Sequence, residues 1–210
     1  MPVRPSQRAA NVAYYGRNRD RERERVAARQ VATVAFLREL RKAPCADCGS
    51  RLAPHQMDFD HREPSQKAFR LTAGAAMLKS RAALLAEVRK CDIVCANCHR
   101  LRTWVRQSRP APTGRSRYLE RKRAAWRAQA RLLDQLRDVS CADGGGYFWP
   151  CAMDFDHRDP TSKDHTVTRI IGRAGTERLL AEVAQCDIVC ANCHRNRTFA
   201  LRSAAHRARE

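Results

Sequence analysis

The chain has 210 residues, which is enough for two small domains of roughly 100 residues each. It carries 41 Lys and Arg against 22 Asp and Glu, a net charge of +19 and a pI near 10.5. Because neutralising phosphates releases counterions, this excess of basic residues favours nucleic acid as partner over a basic composition that serves only solubility. The polar, Arg-rich N-terminus lacks a signal-peptide core, and no apolar run has membrane-spanning length. We therefore expect a cytoplasmic protein without a membrane partner.

The first predicted element is a basic helix over residues 21–41. Its apolar residues recur at helical spacing, and they are Ala27, Val31, Val34, Leu37 and Leu40. Residues before about 20 are expected to form a frayed arm. A Gly-containing turn follows, and then a short strand, Met57–Asp60, in which apolar and acidic residues alternate. After a loop with Pro64 and Lys67, an amphipathic helix around Leu84 leads to a tight turn at Cys95–His99 and a final helix.

Both ends of this pattern return later in the chain. The sequence MDFDHRxP occurs at Met57–Pro64 and Met153–Pro160, and CDIVCANCHRxRT occurs at Cys91–Thr103 and Cys186–Thr198. A second basic helix, with Trp126, Ala130, Leu133 and Leu136 on its apolar face, precedes the second copy. The Pro-, Gly- and Ser-containing stretch 106–117 reads as a linker. We therefore predict two domains, 1–109 with a core at 45–103 and 110–210 with a core at 141–198.

The cysteine spacing predicts a zinc site in the first copy. Cys45 and Cys48 form one CxxC pair and Cys95 and Cys98 form another. Two such pairs supply the four thiolates of a tetrahedral structural Zn²⁺, whereas a single pair would be weak evidence. In an intracellular protein this pattern favours metal ligation over disulfides.

The second copy keeps Cys141, Cys190 and Cys193 but has Gly144 where Cys48 would recur. Two alternatives follow: Cys151 supplies the fourth thiolate of a rebuilt site, or this copy holds zinc weakly. We prefer the rebuilt site. Cys91 and its counterpart Cys186 are interpreted as buried thiols that precede the second CxxC pair of each copy.

A second set of residues suggests hydrolytic chemistry. Asp60 and His61 are adjacent on the predicted strand, so their side chains should point to opposite faces. If Asp60 converges with His99, a carboxylate and an imidazole could bind a divalent cation, which leaves His61 to accept a proton from water. The second copy repeats these residues as Asp156, His157 and His194.

The Asp-His-Arg-Glu-Pro sequence at residues 60–64, framed by the CxxC pairs and ending on Cys98-His99, resembles the HNH endonucleases. The resemblance covers 45–103 and, less completely, 141–198. It implies an α+β fold of two tandem zinc-containing ββα-metal domains. It also implies that His61 and His157 are general bases, and that Asp60 with His99, and Asp156 with His194, hold the catalytic metal. The middle asparagine of the family signature has no counterpart before Cys95, where Asp92 or a backbone group could support the His61 loop instead.

We thus expect an endonuclease that hydrolyses double-stranded DNA, with structural Zn²⁺ and catalytic Mg²⁺, Mn²⁺ or Ni²⁺. A monomer with two sites could cut both strands. The alternative is a non-catalytic, zinc-dependent nucleic-acid-binding protein. Candidate phosphate-contacting residues accompany both sites, and they are Lys67, Arg100, Arg102, Lys163, Arg195 and Arg197.

Overall fold

A computed structural model describes residues 5–72, 76, 79–107, 117–159, 161 and 166–208. In this part of the chain the helices are α1 (Pro5–Leu40), α2 (Arg81–Val88), α3 (Ala96–Gln107), α4 (Arg117–Leu136), α5 (Val167–Ile170), α6 (Thr176–Val183) and α7 (Ala191–Arg207). The strands are β1 (Met57–His61), β2 (Cys91–Cys95), β3 (Met153–His157) and β4 (Cys186–Cys190). The protein is therefore α+β, as predicted.

Each copy of the repeat builds one two-stranded sheet, β1 with β2 and β3 with β4. In the second sheet the strands are antiparallel, with Met153 opposite Cys190 and His157 opposite Cys186. The strand over Met57–Asp60 was predicted, whereas β2 and β4 were not. Each second strand ends on a cysteine of the CxxC pair, and the next helix begins at the following residue. The strand thus places the first cysteine of the pair directly before a helix whose first turn carries the second.

The described chain divides into two compact units that do not follow the repeat. One unit comprises Met1–Ala43 and Phe59–Ile93, and the other comprises Pro44–Asp58 and Val94–Glu210. The first copy therefore contributes residues to both units, while the second copy lies within the second unit. The division at residue 109, based on the repeat, stays a prediction.

The two copies share four equivalent positions in their apolar cores. In the first unit the core contains Leu37, Leu71, Ala76, Leu84 and Cys91. In the second unit it contains Leu133, Val167, Ile170, Leu179 and Cys186. Burying each large aliphatic side chain stabilises the fold by about 1.5–3 kcal/mol. These clusters fix the strand that carries the Asp-His pair against the helix that follows it.

The basic helices match the prediction only in part. Leu37 and Leu133 are buried as expected, but Val31 is 69 % exposed and Trp126 is 49 % exposed. The prediction of a frayed arm is wrong from residue 5 onward, because α1 begins there and is interrupted by non-helical backbone at Asn18. Among the described residues, the membrane-spanning criterion of length and apolarity is met by none of the helices.

Candidate metal centres and active site

The four cysteines predicted for the first zinc site come together. The sulfur atoms of Cys45, Cys48, Cys95 and Cys98 all lie within 4.8 Å of one another. The turn that begins at Cys45 and carries Cys48 is closed by Gly49. The φ of Gly49 is 71°, which suits glycine, and its amide donates to the Cys45 carbonyl at 2.9 Å. The amide of Cys95 donates to Cys45 Sγ at 3.2 Å, a contact that stabilises a thiolate. This group could hold Zn²⁺.

The environment of these thiols separates their acidities. Burial opposes ionisation of Cys48, but hydrogen bonds from Ser50 and the neighbouring thiols outweigh it and lower the pKa of Cys48 to about 7. Burial, reinforced by the hydrogen bond with Cys95, raises the pKa of Cys98. Four thiols at this separation cannot all ionise without a compensating cation, which is the electrostatic role of a bound metal.

The second cluster contains three of the predicted ligands. The sulfur atoms of Cys141, Cys190 and Cys193 lie within 4.8 Å of one another. The turn that begins at Cys141 has the same geometry as the turn at Cys45, because Gly145 has a φ of 65° and its amide donates to the Cys141 carbonyl at 2.8 Å. A Cβ built on Gly144 would lie 3.3 Å from Cys193 Sγ, so the missing fourth side chain would point at the cluster.

Cys151 is not brought to this cluster, contrary to our preferred alternative. It lies in the 3₁₀ turn Pro150–Ala152 that precedes β3. There it lines a cleft together with Asp58, His99 and Arg100. The turn directs its side chain toward a different surface from the one that Cys193 faces. The structure thus offers three thiolates, rather than a rebuilt set of four, for a metal in the second copy.

The remaining repeated cysteines behave as predicted. Cys91 and Cys186 are buried and belong to the two apolar cores. Their thiols lie 3.5 and 3.4 Å from the carbonyl oxygens of Glu87 and Glu182, respectively. Burial, reinforced by the charge of Glu87, raises the pKa of Cys91 to about 11, which keeps it a neutral thiol.

Two residues predicted to hold a catalytic metal lie close together in the second copy. His194 Nε2 lies 3.4 Å from Asp156 Oδ1. Two donors about 2.1 Å from one cation are roughly 3–3.5 Å apart, so this spacing suits joint coordination. His194 Nδ1 lies 2.8 Å from Asp154 Oδ2. That hydrogen bond, opposed by burial, raises the pKa of His194. A carboxylate on Nδ1 orients a metal-binding imidazole and directs Nε2 toward the ion.

His157 belongs to the same cleft but is held by a residue that we had not predicted. The cleft has a volume of about 180 Å³, and its lining includes Asp156, His157 and His194. His157 is 8 % exposed, and its Nε2 lies 2.6 Å from Glu182 Oε1. With Nε2 engaged by the carboxylate, Nδ1 is the ring nitrogen that can accept a proton.

The first copy has the same His–Glu pair, with His61 Nε2 2.8 Å from Glu87 Oε1. Burial opposes ionisation of Glu87, but hydrogen bonds from Lys90 and His61 and from two backbone amides lower its pKa to about 2. The expectation that Asp92 or a backbone group supports the loop around His61 stays a prediction. Asp92 pairs at 3.0 Å with Arg62, the residue that follows His61, while the buried Glu87 contacts the His61 ring itself.

His99, the second metal ligand predicted for the first copy, lies in the second unit. His99 Nδ1 is 2.8 Å from Asp58 Oδ2, which matches the contact between His194 and Asp154. Burial opposes ionisation of Asp58, but hydrogen bonds from His99 and Arg195 lower its pKa to about 2. Asp60 and His61 belong to the first unit, where both side chains are buried.

The arginines predicted to contact phosphates are all engaged with carboxylates. Arg102 pairs with Asp47 at 2.5 Å. Arg197 contacts Asp143 at 2.5 Å and Asp156 at 3.1 Å. Arg100 and Arg195 pair with Asp154 and Asp58 at 2.5 and 2.7 Å. Lys67 is exposed at the end of a 3₁₀ turn, and Lys163 lies outside the described residues.

Sequence reasoning missed two pairs of acidic residues, Glu87 with Glu182 and Asp58 with Asp154. A signal for the glutamates was present, because each follows a core leucine by three residues and so falls on the apolar face of its helix. The aspartates share a strand face with Asp60 and Asp156, and both recur in the repeat. A charged residue repeated on the apolar face of a helix identifies the glutamates, and an acidic residue repeated on the polar face of the strand identifies the aspartates.

Comparison with known proteins adds no assignment: this chain matches no protein-family model, curated protein or solved structure.

Proposed function

We propose that this protein is a zinc-supported, divalent-metal-dependent HNH-type endonuclease that hydrolyses DNA. The observation that carries the proposal is the separation of 3.4 Å between His194 Nε2 and Asp156 Oδ1, in a cleft that also contains His157. A carboxylate and an imidazole at this spacing form the donor set of a one-metal hydrolytic site. The Asp-His and CxxCH sequences, which resemble those of the HNH family, supply the rest of the constellation.

The protein groups divide the chemistry between them. His157 accepts a proton from the attacking water, and Glu182 holds the ring in the required tautomer and stabilises the imidazolium that forms. Asp156 and His194 would hold the divalent cation, which would supply stabilisation for the charge on the departing 3′ oxygen. Asp154 orients His194 through Nδ1. The sequence repeat predicts the equivalent roles for His61, Asp60 and His99 of the first copy.

Net charge supports a nucleic-acid substrate. A charge of +19 gives a long-range attraction for phosphates that depends on salt concentration. Double-stranded DNA is the proposed substrate, and one chain with two sites could cut both strands. The cysteine clusters would hold Zn²⁺ as a structural ion, and Mg²⁺, Mn²⁺ or Ni²⁺ would serve the hydrolytic sites.

One observation favours a second candidate, a non-catalytic nucleic-acid-binding protein. Arg197 Nη1 lies 3.1 Å from Asp156 Oδ2, so a guanidinium contacts the carboxylate that would bind the metal. If this ion pair persists, the site holds a fixed positive charge in place of an exchangeable cation. The first copy has Arg102 at this position of the repeat.

Plasmid cleavage distinguishes the two candidates. Supercoiled DNA is incubated with the zinc-loaded protein and Mg²⁺, Mn²⁺ or Ni²⁺, alongside His61→Ala, His157→Ala and the double variant. We expect the wild type to linearise the plasmid, each single variant to nick it, and the double variant to leave it intact. A wild type that cuts no faster than the double variant with every metal, yet shifts DNA in a gel, would establish the binding protein.

A further inference from the structure

Each copy of the repeat sends an arginine to a carboxylate of the other copy. Arg100 of the first copy donates from Nη1 to Asp154 Oδ1 at 2.5 Å. Arg195 of the second copy donates from Nη2 to Asp58 Oδ2 at 2.7 Å. The exchange is reciprocal, and all four residues lie within the second compact unit. Both acidic side chains are about four-fifths buried, so each depends on its cationic partner to remain ionised.

The same two carboxylates hold the predicted metal-binding imidazoles. Nδ1 of His99 lies 2.8 Å from Asp58, and Nδ1 of His194 lies 2.8 Å from Asp154. An ionised carboxylate can only accept hydrogen bonds, so in each pair Nδ1 carries the proton. Nε2 then keeps its lone pair for a metal. The carboxylate therefore joins an imidazole of one copy to a guanidinium of the other.

Reciprocal amide contacts fix the helices that carry these arginines. The Asn192 amide donates to Asn97 Oδ1 at 3.1 Å, and the Ala96 amide donates to Asn192 Oδ1 at 3.0 Å. Both contacts lie at the N-termini of α3 and α7, which also pack against each other. Because the helix starts are held together, each helix presents its arginine, one turn on, to the strand of the other copy.

We infer that Arg100 and Arg195 are positioning residues for the metal site of the copy to which they do not belong. The inference rests on the proposed function for the nature of that site. The arginine anchors the carboxylate, the carboxylate fixes the tautomer and orientation of the imidazole, and the imidazole presents Nε2. Each site thus draws one outer positioning residue from the other copy. Losing outer contacts of this kind reduces metal affinity or activity by about 10- to 100-fold.

Cleavage kinetics in single-site backgrounds test the exchange. His61→Ala confines cutting to the second copy, and His157→Ala confines it to the first. We expect Arg100→Met to lower kcat about tenfold in the His61→Ala background with KM little changed, and to have a smaller effect in the His157→Ala background. Arg195→Met should show the reverse order, and Arg→Lys at each position should recover part of the loss. Losses that fall mainly on the arginine's own copy, or on KM alone, would instead assign these residues to phosphate contacts and overturn the inference.

An imidazole readout separates this inference from the proposed function. In zinc-loaded protein with ¹⁵N-labelled histidine, Arg100→Met should speed solvent exchange of the His194 Nδ1 proton by about tenfold and leave that of His99 close to wild type. Arg195→Met should do the opposite, while zinc content and circular dichroism stay unchanged in both. If the crossed pattern appears in a protein that cuts no DNA, the nuclease proposal fails and the positioning role stands. If the pattern is not crossed, the positioning role fails whatever the cleavage result.

Discussion

Gly144→Cys should convert the second cysteine cluster into a four-thiolate zinc site. Gly144 occupies the position of Cys48 in the repeat, and its backbone is not left-handed, unlike that of Gly145 at φ 65°. A cysteine Cβ there would lie 3.3 Å from Cys193 Sγ, close enough that a shift of a few tenths of an ångström accommodates it. The new sulfur would face the three existing ones.

The expected change in zinc affinity follows from the binding free energy that one ligand contributes. Four-ligand structural zinc sites bind with apparent free energies of about 10–16 kcal/mol, or roughly 3 kcal/mol for each ligand. A fourth thiolate should therefore tighten zinc binding by about a hundredfold, because each 1.4 kcal/mol corresponds to about a factor of ten. Cys48→Gly, which copies the present state of the second cluster into the first, should weaken the first site by a similar factor.

Competition with a chromophoric chelator gives the two zinc affinities, and cobalt substitution reports the number of thiolates from the intensity of the sulfur-to-metal band. Gly144→Ser is the matched control, because it adds a side chain of similar size but a poor zinc ligand. An unchanged second affinity in Gly144→Cys, with four-thiolate cobalt spectra already present in the wild type, would show that another residue supplies the fourth ligand and would refute this reasoning.

Three further results are expected. Cys186→Ser should retain both zinc ions and Cys190→Ser should lose one, as measured by metal analysis, because only Cys190 belongs to a cluster; equal loss in both would contradict the buried-thiol assignment. Glu182→Ala should lower the free energy of unfolding in urea by about 3 kcal/mol, because it leaves His157 buried without its carboxylate partner. Glu182→Gln should lower it by less. Equal losses in the two variants would show that the hydrogen bond is unimportant. The pKa of Asp58 falls from 3.8 to about 2 on folding, so the ionised carboxylate should contribute about 2 kcal/mol to the free energy of unfolding above pH 4. This contribution should be lost as the pH falls toward 2, so the stability difference between wild type and Asp58→Asn should disappear over that range. A stability difference that does not change with pH would contradict the prediction.

The cysteine clusters could be predicted because their determinants are local. A CxxC pair places two thiols on one turn, so two such pairs form a tetrahedral set of ligands once the two turns meet. The fate of Cys151 could not be predicted in this way. It depends on the surface toward which a short 3₁₀ turn directs its side chain, and residue spacing carries no information on that direction.

The candidate active site was predictable in composition and only partly in geometry. Alternation along the first predicted strand placed Asp58 with Asp60, which the repeat extends to Asp154 and Asp156, but it did not reveal that Asp154 holds His194 while Asp156 faces Nε2. The contact between His61 and Glu87 depends on how α2 packs. Sequence reasoning sought the support of His61 among the residues before Cys95 and therefore did not consider Glu87. The exchange of Arg100 and Arg195 depends on the meeting of two distant helix starts, and no local pattern specifies such a meeting.

The paired contacts of Arg100 with Asp154 and of Arg195 with Asp58 have the form of a two-fold homodimer interface, in which residue i contacts j and j contacts i. A single copy could therefore present the same surface to a second molecule, whereas in this chain the two copies are covalently joined. Copies joined in one chain need not be identical, and these two differ at Cys48 and Gly144. A one-copy chain should accordingly sediment as a dimer, and Arg100→Ala should return it to a monomer.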